Sequence, residues 1–254
     1  MSEPVLTERI GGVLVITINR PNARNAQDAA VAHGIAAAVD ELDESSDLRV
    51  GVLTGAGGTF SSGMDLKAFL RGEKPDIPGR GLSGITKTPP RKPLIAAVEG
   101  WALAGGFELM LACDLVVAAE TARFGIPEVK RGLLAGAGGV FITPRRIPFA
   151  IAMELILTGD PITAQRAYEV GLINRVTAEG GALEVALELA QTIAANAPYA
   201  VAVSKQIAVA ALDWSREEGW PIQDELMAPV LVSEDAREGA AAFAEKRAPV
   251  WVGR

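Results

Sequence analysis

Residues 100–109 read GWALAGGFEL, set between PLIAAVE and MLACDLVVAA. Glu108 is a lone carboxylate among small and apolar residues, just past Gly105-Gly106. A charge in such surroundings is costly unless it is paired or hydrogen-bonded. The flanks on either side decide the fold class. PLIAAVEG (93–100) and DLVVAAE (114–120) are short, aliphatic and bounded by Gly, Pro or Asp, the pattern of buried strands. VLVITIN (13–19) and RVGVLTG (49–55) share it, and LINRVT (172–177) is a fifth candidate. NAQDAAVAHGIAAAVDELDES (25–45), between the first two strands, has helical periodicity. Strands alternating with helices predict an α/β architecture.

Composition narrows the chemistry. The chain has 254 residues, 49% of them hydrophobic and only 5% aromatic, so the core is built from small and aliphatic side chains. Net charge is −7 with no basic run, which argues against a nucleic-acid partner. No run of about 20 apolar residues spans a membrane and no targeting segment is visible, so a cytoplasmic protein is expected. One Cys and one His leave little room for a metal site, a disulfide or a Ser-His-Asp triad. His33 reads as a packing or surface residue and Cys113 as buried and inert. Carboxylates remain as the acid and base.

Two segments are less regular. Residues 70–92 scatter Pro and Gly without a period and read as a long loop, either a lid over a site or a plain surface excursion. From about 196 the pattern is helical throughout. This predicts a core over 1–195 and a helical region over 196–254. AVAVSKQIAVAAL, apolar on nearly every side, needs partners on several faces, from other subunits or from its own chain.

Glycine clusters occur at 54–66, 102–109 and 132–139. None has the G-x-G-x-x-G or G-K-[ST] pattern of a dinucleotide or phosphate loop in the right context. Glycine also lets backbone N–H groups approach a ligand. Gly105-Gly106 opens a helix, whose first N–H groups lack partners. Two such donors aimed at one carbonyl oxygen make an oxyanion hole, with the 54–66 loop as source of the second.

FSSGMDLKAF, KPLIAAVEGWALAGGFELMLACDLVVA, FGIPEVKRGLLAGAGG and LTGDPITAQRAYEVGLINRV, preceded by NRPNARNA at 19–26, resemble the enoyl-CoA hydratase/isomerase (crotonase) superfamily in order along nearly the whole chain. The resemblance implies a spiral of ββα units followed by helices that form trimers, or dimers of trimers. It implies an oxyanion hole from the N–H groups of Met64 and Gly105, two catalytic glutamates at Glu108 and Glu128, and Gly136 helping to hold the catalytic water. It places coenzyme A, as part of the substrate and with no further cofactor, near Ala23, Arg24, Ser62, Asp65 and Leu66. Lys67 and Lys246 join Arg24 as candidate cations for this polyanion in an acidic protein. The implied reaction is hydration of a trans-2-enoyl-CoA. The ending SEDAREGAAAFAEKRAPVWVGR, with AGGFELML, also resembles the carnitinyl-CoA dehydratase branch. Isomerase or thioesterase chemistry, or acyl-CoA binding alone, are the other uses of the scaffold. Departures from the family pattern are Ala104, Ala135 and VFIT (140–143); they bear on the acyl substrate more than on the reaction.

Overall fold

The computed structural model describes residues 3–254. In chain order, β1 (Val5–Ile10) and β2 (Val13–Ile18) lead to α1 (Ala29–Glu44) and β3 (Val50–Gly55). α2 (Leu66–Leu70) follows, then the short strands β4 (Asp76–Ile77) and β5 (Gly81–Leu82). β6 (Leu94–Val98), β7 (Trp101–Leu103), α3 (Gly105–Leu111), β8 (Leu115–Ala119) and β9 (Arg123–Gly125) come next. α4 (Gly139–Arg146), α5 (Phe149–Thr158), β10 (Ile162–Thr163), α6 (Ala164–Glu169) and β11 (Arg175–Thr177) lead to α7 (Ala182–Ala194). α8 (Pro198–Ala210), α9 (Arg216–Leu231) and α10 (Glu234–Glu245) complete the chain.

The main sheet has the order β1-β2-β3-β6-β8-β11, parallel except for the β1–β2 pair. A second sheet, β10-β9-β7, lies beside it in the chain's path, and Ser61 joins it by a bridge to Ala102. The inner strands β2, β3, β6 and β8 are buried on both faces, which is why they read as continuous apolar runs. Alternate side chains divide the faces. Leu14, Ile16, Ile18, Leu53, Leu94, Ala96 and Val98 pack into the larger core with α1 and α3. Val13, Val50, Val52, Ile95, Ala97 and Val117 pack on Ala182, Ala186 and Ala190 of α7. The four predicted strands at 13–19, 49–55, 93–100 and 114–120 and the helix before the second are all present. β1 was not predicted, because VLTERI is a largely exposed edge strand without a clear apolar alternation.

The 70–92 segment is not a surface excursion along its length, because residues 81–86 are buried. Gly81 and Gly84 take positive φ (77° and 73°), turning the chain inward so that Leu82 and Ile85 are buried. This tucked turn reaches the vicinity of Gly105, where a methyl group built on that glycine would lie 3.0 Å from the Leu82 side chain.

α8 is fastened to the sheet by a half-buried ion pair. Lys205 Nζ donates to Asp114 (2.6 Å) and to the Lys92 carbonyl (2.9 Å), while Asp114 also accepts from Leu94 N (2.8 Å). Beside it lies a cleft of about 890 Å³ bordered by Leu48, Pro90, Leu111, Phe141 and Val203, which includes neither glutamate nor Met64. Only Val203 of α8 is buried by its own chain. Among the described residues no helix is long and apolar enough to cross a membrane.

Candidate active site

The site is built where the 61–66 loop meets the start of α3. Parallel bridges tie Ser61 to Ala102 and Gln27 to Met64. In the second bridge Gln27 N donates to Gly63 O and Asp65 N donates to Gln27 O, both at 2.8 Å. That pairing uses the residues flanking Met64 and leaves the Met64 N–H without a partner among the described residues. Gly105, the first residue of α3, also has an unpartnered N–H. The two donors are close: a methyl group built on Gly105 would lie 3.5 Å from Met64 N, and one built on Gly63 would lie 2.9 Å from Gly105 N. Gly63, at φ 94°, permits this approach.

Ala104 precedes this helix at φ 52°, ψ −128°, a region that glycine favours. It is held there by Ala104 N donating to Gly125 O and by Glu108 N donating to Ala104 O. Ala104→Gly relieves about 1 kcal/mol of backbone strain. The expected result is a thermal midpoint raised by about 2–4 °C, read by circular dichroism; a lowered midpoint would show that the methyl group's packing outweighs the strain.

All seven residues of α3 are buried, and Glu108 lies one turn in, 4% exposed. Its Oε1 accepts from Ala137 N (2.7 Å) and Gly139 N (2.9 Å). Its Oε2 has no hydrogen bond within the described residues. Burial raises the Glu108 pKa, the two amides pull it back, and the charges of Glu128 and then Asp76 raise it further; the result is about 7. Gly139 must be small, because a methyl group there would lie 3.2 Å from Glu108 Oε1 and 2.7 Å from the Ala135 methyl. Gly136 faces open space: its nearest neighbour to a built methyl group is Leu134, at 4.0 Å.

Glu128 sits in a single 3-10 turn, Pro127–Arg131, with Pro127 opening it. Its Oε2 is buried and has no hydrogen-bond partner. Buried polar atoms in folded proteins nearly always have one. Burial pushes the Glu128 pKa upward as well, against its backbone hydrogen bond and Arg131.

The residues expected near coenzyme A fall into two groups. Ala23 closes a short turn and Arg24 follows it at φ 51°. Ser62 N donates to Arg24 O, which joins that turn to the loop carrying Asp65, Leu66 and Lys67. Arg24, Leu66 and Lys67 are exposed. The Asp65 carboxylate is committed elsewhere: it caps α2 through Lys67 N and Ala68 N and pairs with Arg20 at 2.9 Å. Despite burial, these hydrogen bonds and Arg20 hold its pKa down. Lys246 ends α10 and has no hydrogen bond or ion pair to the other candidates. Sequence reading did not find Ala137 and Gly139 as donors to Glu108, because every residue type carries the same amide. It also missed the buried polar side chains of Asn25, Gln27, Ser61 and Ser83.

Two free N–H groups beside a pair of carboxylates of raised proton affinity form a site equipped to polarise a carbonyl and move protons next to it. A sequence model described as enoyl-CoA hydratase/isomerase matches residues 8–254. The chain belongs to the enoyl-CoA hydratase/isomerase family. It is 55% identical to the enoyl-CoA hydratase EchA1 of Mycobacterium marinum, with a TM-score of 0.98 and all of both chains covered. It is 46% identical to a carnitinyl-CoA hydratase of Mycobacterium avium, TM-score 0.81, again over the whole of both chains. Over 263 aligned residues it is 44% identical to the carnitinyl-CoA dehydratase of Salmonella typhi, covering all of each. These likenesses establish the crotonase type of α/β fold.

Proposed function

We propose that the protein is an enoyl-CoA hydratase that reversibly adds water across a trans-2-enoyl-CoA. The observation that carries this reading is the buried, unpartnered Oε2 of Glu128, in a site that also holds Glu108 and two free amide donors. The thioester oxygen sits against Met64 N–H and Gly105 N–H and gains charge as a water oxygen bonds to C3. Glu108, oriented through Oε1, takes the proton from that water through its free Oε2. Glu128 gives a proton to C2, and the charge on the thioester oxygen collapses. Gly136, beside open space, leaves room for the water. Like charges disfavour double ionisation, so one protonated and one ionised carboxyl group is the resting state.

Coenzyme A lies along Ala23, Arg24, Ser62, Asp65 and Leu66, with Arg24, Lys67 and Lys246 as the cations; the Asp65 side chain shapes this loop through its cap. The protein works as a homotrimer or a dimer of trimers. The exposed Val209, Leu212, Trp220, Leu231, Val232 and Phe243 of the C-terminal helical region support subunit contact over packing within one chain. Light scattering that finds a stable monomer refutes the assembly.

The activity is tested by mixing the protein with crotonyl-CoA and following loss of the conjugated thioester absorbance. Absence of turnover on short, medium and branched enoyl-CoAs refutes the hydratase reading. A second reading, a carnitinyl-CoA-type substrate, is favoured by Asp76. This exposed carboxylate has no ion-pair partner among the described residues, and its charge acts on Glu108. It pairs with Leu82 across the β4–β5 hairpin. A cationic acyl end would be welcome there, and turnover of crotonobetainyl-CoA alone decides for this reading.

A further inference from the structure

Four polar side chains behind the free amide donors are fully buried: Asn25, Gln27, Ser61 and Ser83. Asn25 serves the backbone of its own turn and of the 56–59 loop. The other three form a chain of hydrogen bonds. Ser83 Oγ donates to Gln27 Oε1 at 2.8 Å, and Gln27 Nε2 donates to Ser61 Oγ at 3.3 Å. Ser61 Oγ donates in turn to Asn25 O (2.9 Å) and accepts from Gly63 N (3.2 Å). The chain ends on the residue whose carbonyl is joined in a peptide to Met64 N.

The same turn reaches the other donor. Leu82, next to Ser83, lies against Gly105, and Gln27 Nε2 would stand 3.4 Å from a methyl group on that glycine. Ser83 itself is held at φ 50°, a conformation that an L-residue adopts at a cost. Its hydroxyl bond to Gln27 is what a glycine there would lack.

We propose that Ser83, Gln27 and Ser61 are positioning residues for the oxyanion pair: they fix the Gly63–Met64 peptide so that Met64 N–H and Gly105 N–H converge on one oxygen. The inference rests on the hydratase reading above. The tucked turn at 81–86 thereby touches both donors, one through Leu82 and one through the polar chain. Fully satisfied buried networks of this kind rigidify what they hold. Donors that drift by a fraction of an ångström lose transition-state stabilisation more than ground-state binding.

The test uses the full-length protein, with butyryl-CoA labelled with ¹³C at the thioester carbon as a probe that has no double bond to hydrate. Infrared difference spectra read the carbonyl stretch, which moves to lower frequency as the oxygen is polarised. Ser83→Gly removes the hydroxyl while relieving the positive φ, so folding is not at risk; Gln27→Met removes the centre of the chain. Both are expected to lose at least half of the wild-type carbonyl shift. Both are expected to lower kcat on crotonyl-CoA about tenfold or more, with KM changed less than threefold. A wild-type carbonyl shift and kcat in Ser83→Gly overturn the proposal, whether or not Gln27→Met folds. A raised KM with unchanged kcat does so too, because it marks a binding role. If the wild-type protein neither hydrates any enoyl-CoA nor shifts the carbonyl, the hydratase reading itself fails and the positioning role falls with it.

Discussion

Glu108→Gln is expected to lower kcat for hydration of crotonyl-CoA by two to four orders of magnitude, about the range that one positioned general acid or base contributes. The substitution keeps the shape of the side chain, and its amide oxygen still accepts from Ala137 N and Gly139 N. What is lost is the capacity to take a proton from water. Glu128→Gln is expected to fall in the same range through loss of the proton delivered to C2. Full activity in either variant refutes the role assigned to that residue. Because the Glu108–Glu128 pair works with one protonated and one ionised carboxyl group, kcat/KM for hydration is expected to be bell-shaped in pH, rising as the first carboxyl group of the free enzyme ionises and falling as the second does, with burial and the neighbouring charge pushing Glu108 up to about 7.

The same substitution has a stability signature with a definite sign. The folded-state pKa of Glu108 is raised from 4.5 to about 7, so the folded protein holds this proton more tightly than the unfolded chain. That contribution is fully present below about 4.5 and is lost as pH rises to about 7. On this scale ionising Glu108 costs about 3 kcal/mol of stability. Gln carries no such charge. Glu108→Gln is therefore stabilised relative to wild type at pH 8 by more than at pH 5, read as the difference in thermal midpoint. A difference independent of pH would show that Glu108 is not held in a desolvated site.

The second large effect is structural. A methyl group at residue 106 would stand 2.2 Å from Ser61 O and 2.9 Å from Ser61 C. Both are backbone atoms, so no rotamer relieves the clash. Ser61 O accepts from Leu103 N at 3.0 Å, and Ser61 N donates to Trp101 O at 2.9 Å. Moving Ser61 therefore breaks the seam between the 61–66 loop and β7 and displaces the Gly63–Met64 peptide. Gly106→Ala is expected to destabilise the protein by about 3 kcal/mol or more, and to abolish turnover even at temperatures where it stays folded. Wild-type turnover in a folded Gly106→Ala protein would show that the site tolerates a shifted loop.

The strands were readable because burial on both faces writes them as unbroken aliphatic runs, as in LIAAV of β6. β7, β9 and β10 were not, because two or three residues carry no period. Glu108 and Glu128 were picked out through their motifs, and their raised proton affinities follow from burial that no single sequence displays. The amides of Ala137 and Gly139, and the inward turn of 81–86, depend on backbone direction. Gly81 and Gly84 mark that turn, but glycines mark outward turns equally well. Ala104 was legible as a departure from the family pattern; its positive φ is what gives the departure a physical meaning.

The division of the main sheet into two apolar faces separates two kinds of change. One face carries α1 and α3, and through α3 it holds Glu108 and Gly105. The other is covered by α7, whose Ala182, Ala186 and Ala190 recur every fourth residue and meet Val52, Ile95 and Ala97. Because alternate side chains of a strand never share a face, substitutions beneath α7 alter how firmly the sheet is held without touching a group in the site. Robustness and chemistry are in this way nearly independent variables, and variation can accumulate on one side of a strand while the other stays fixed.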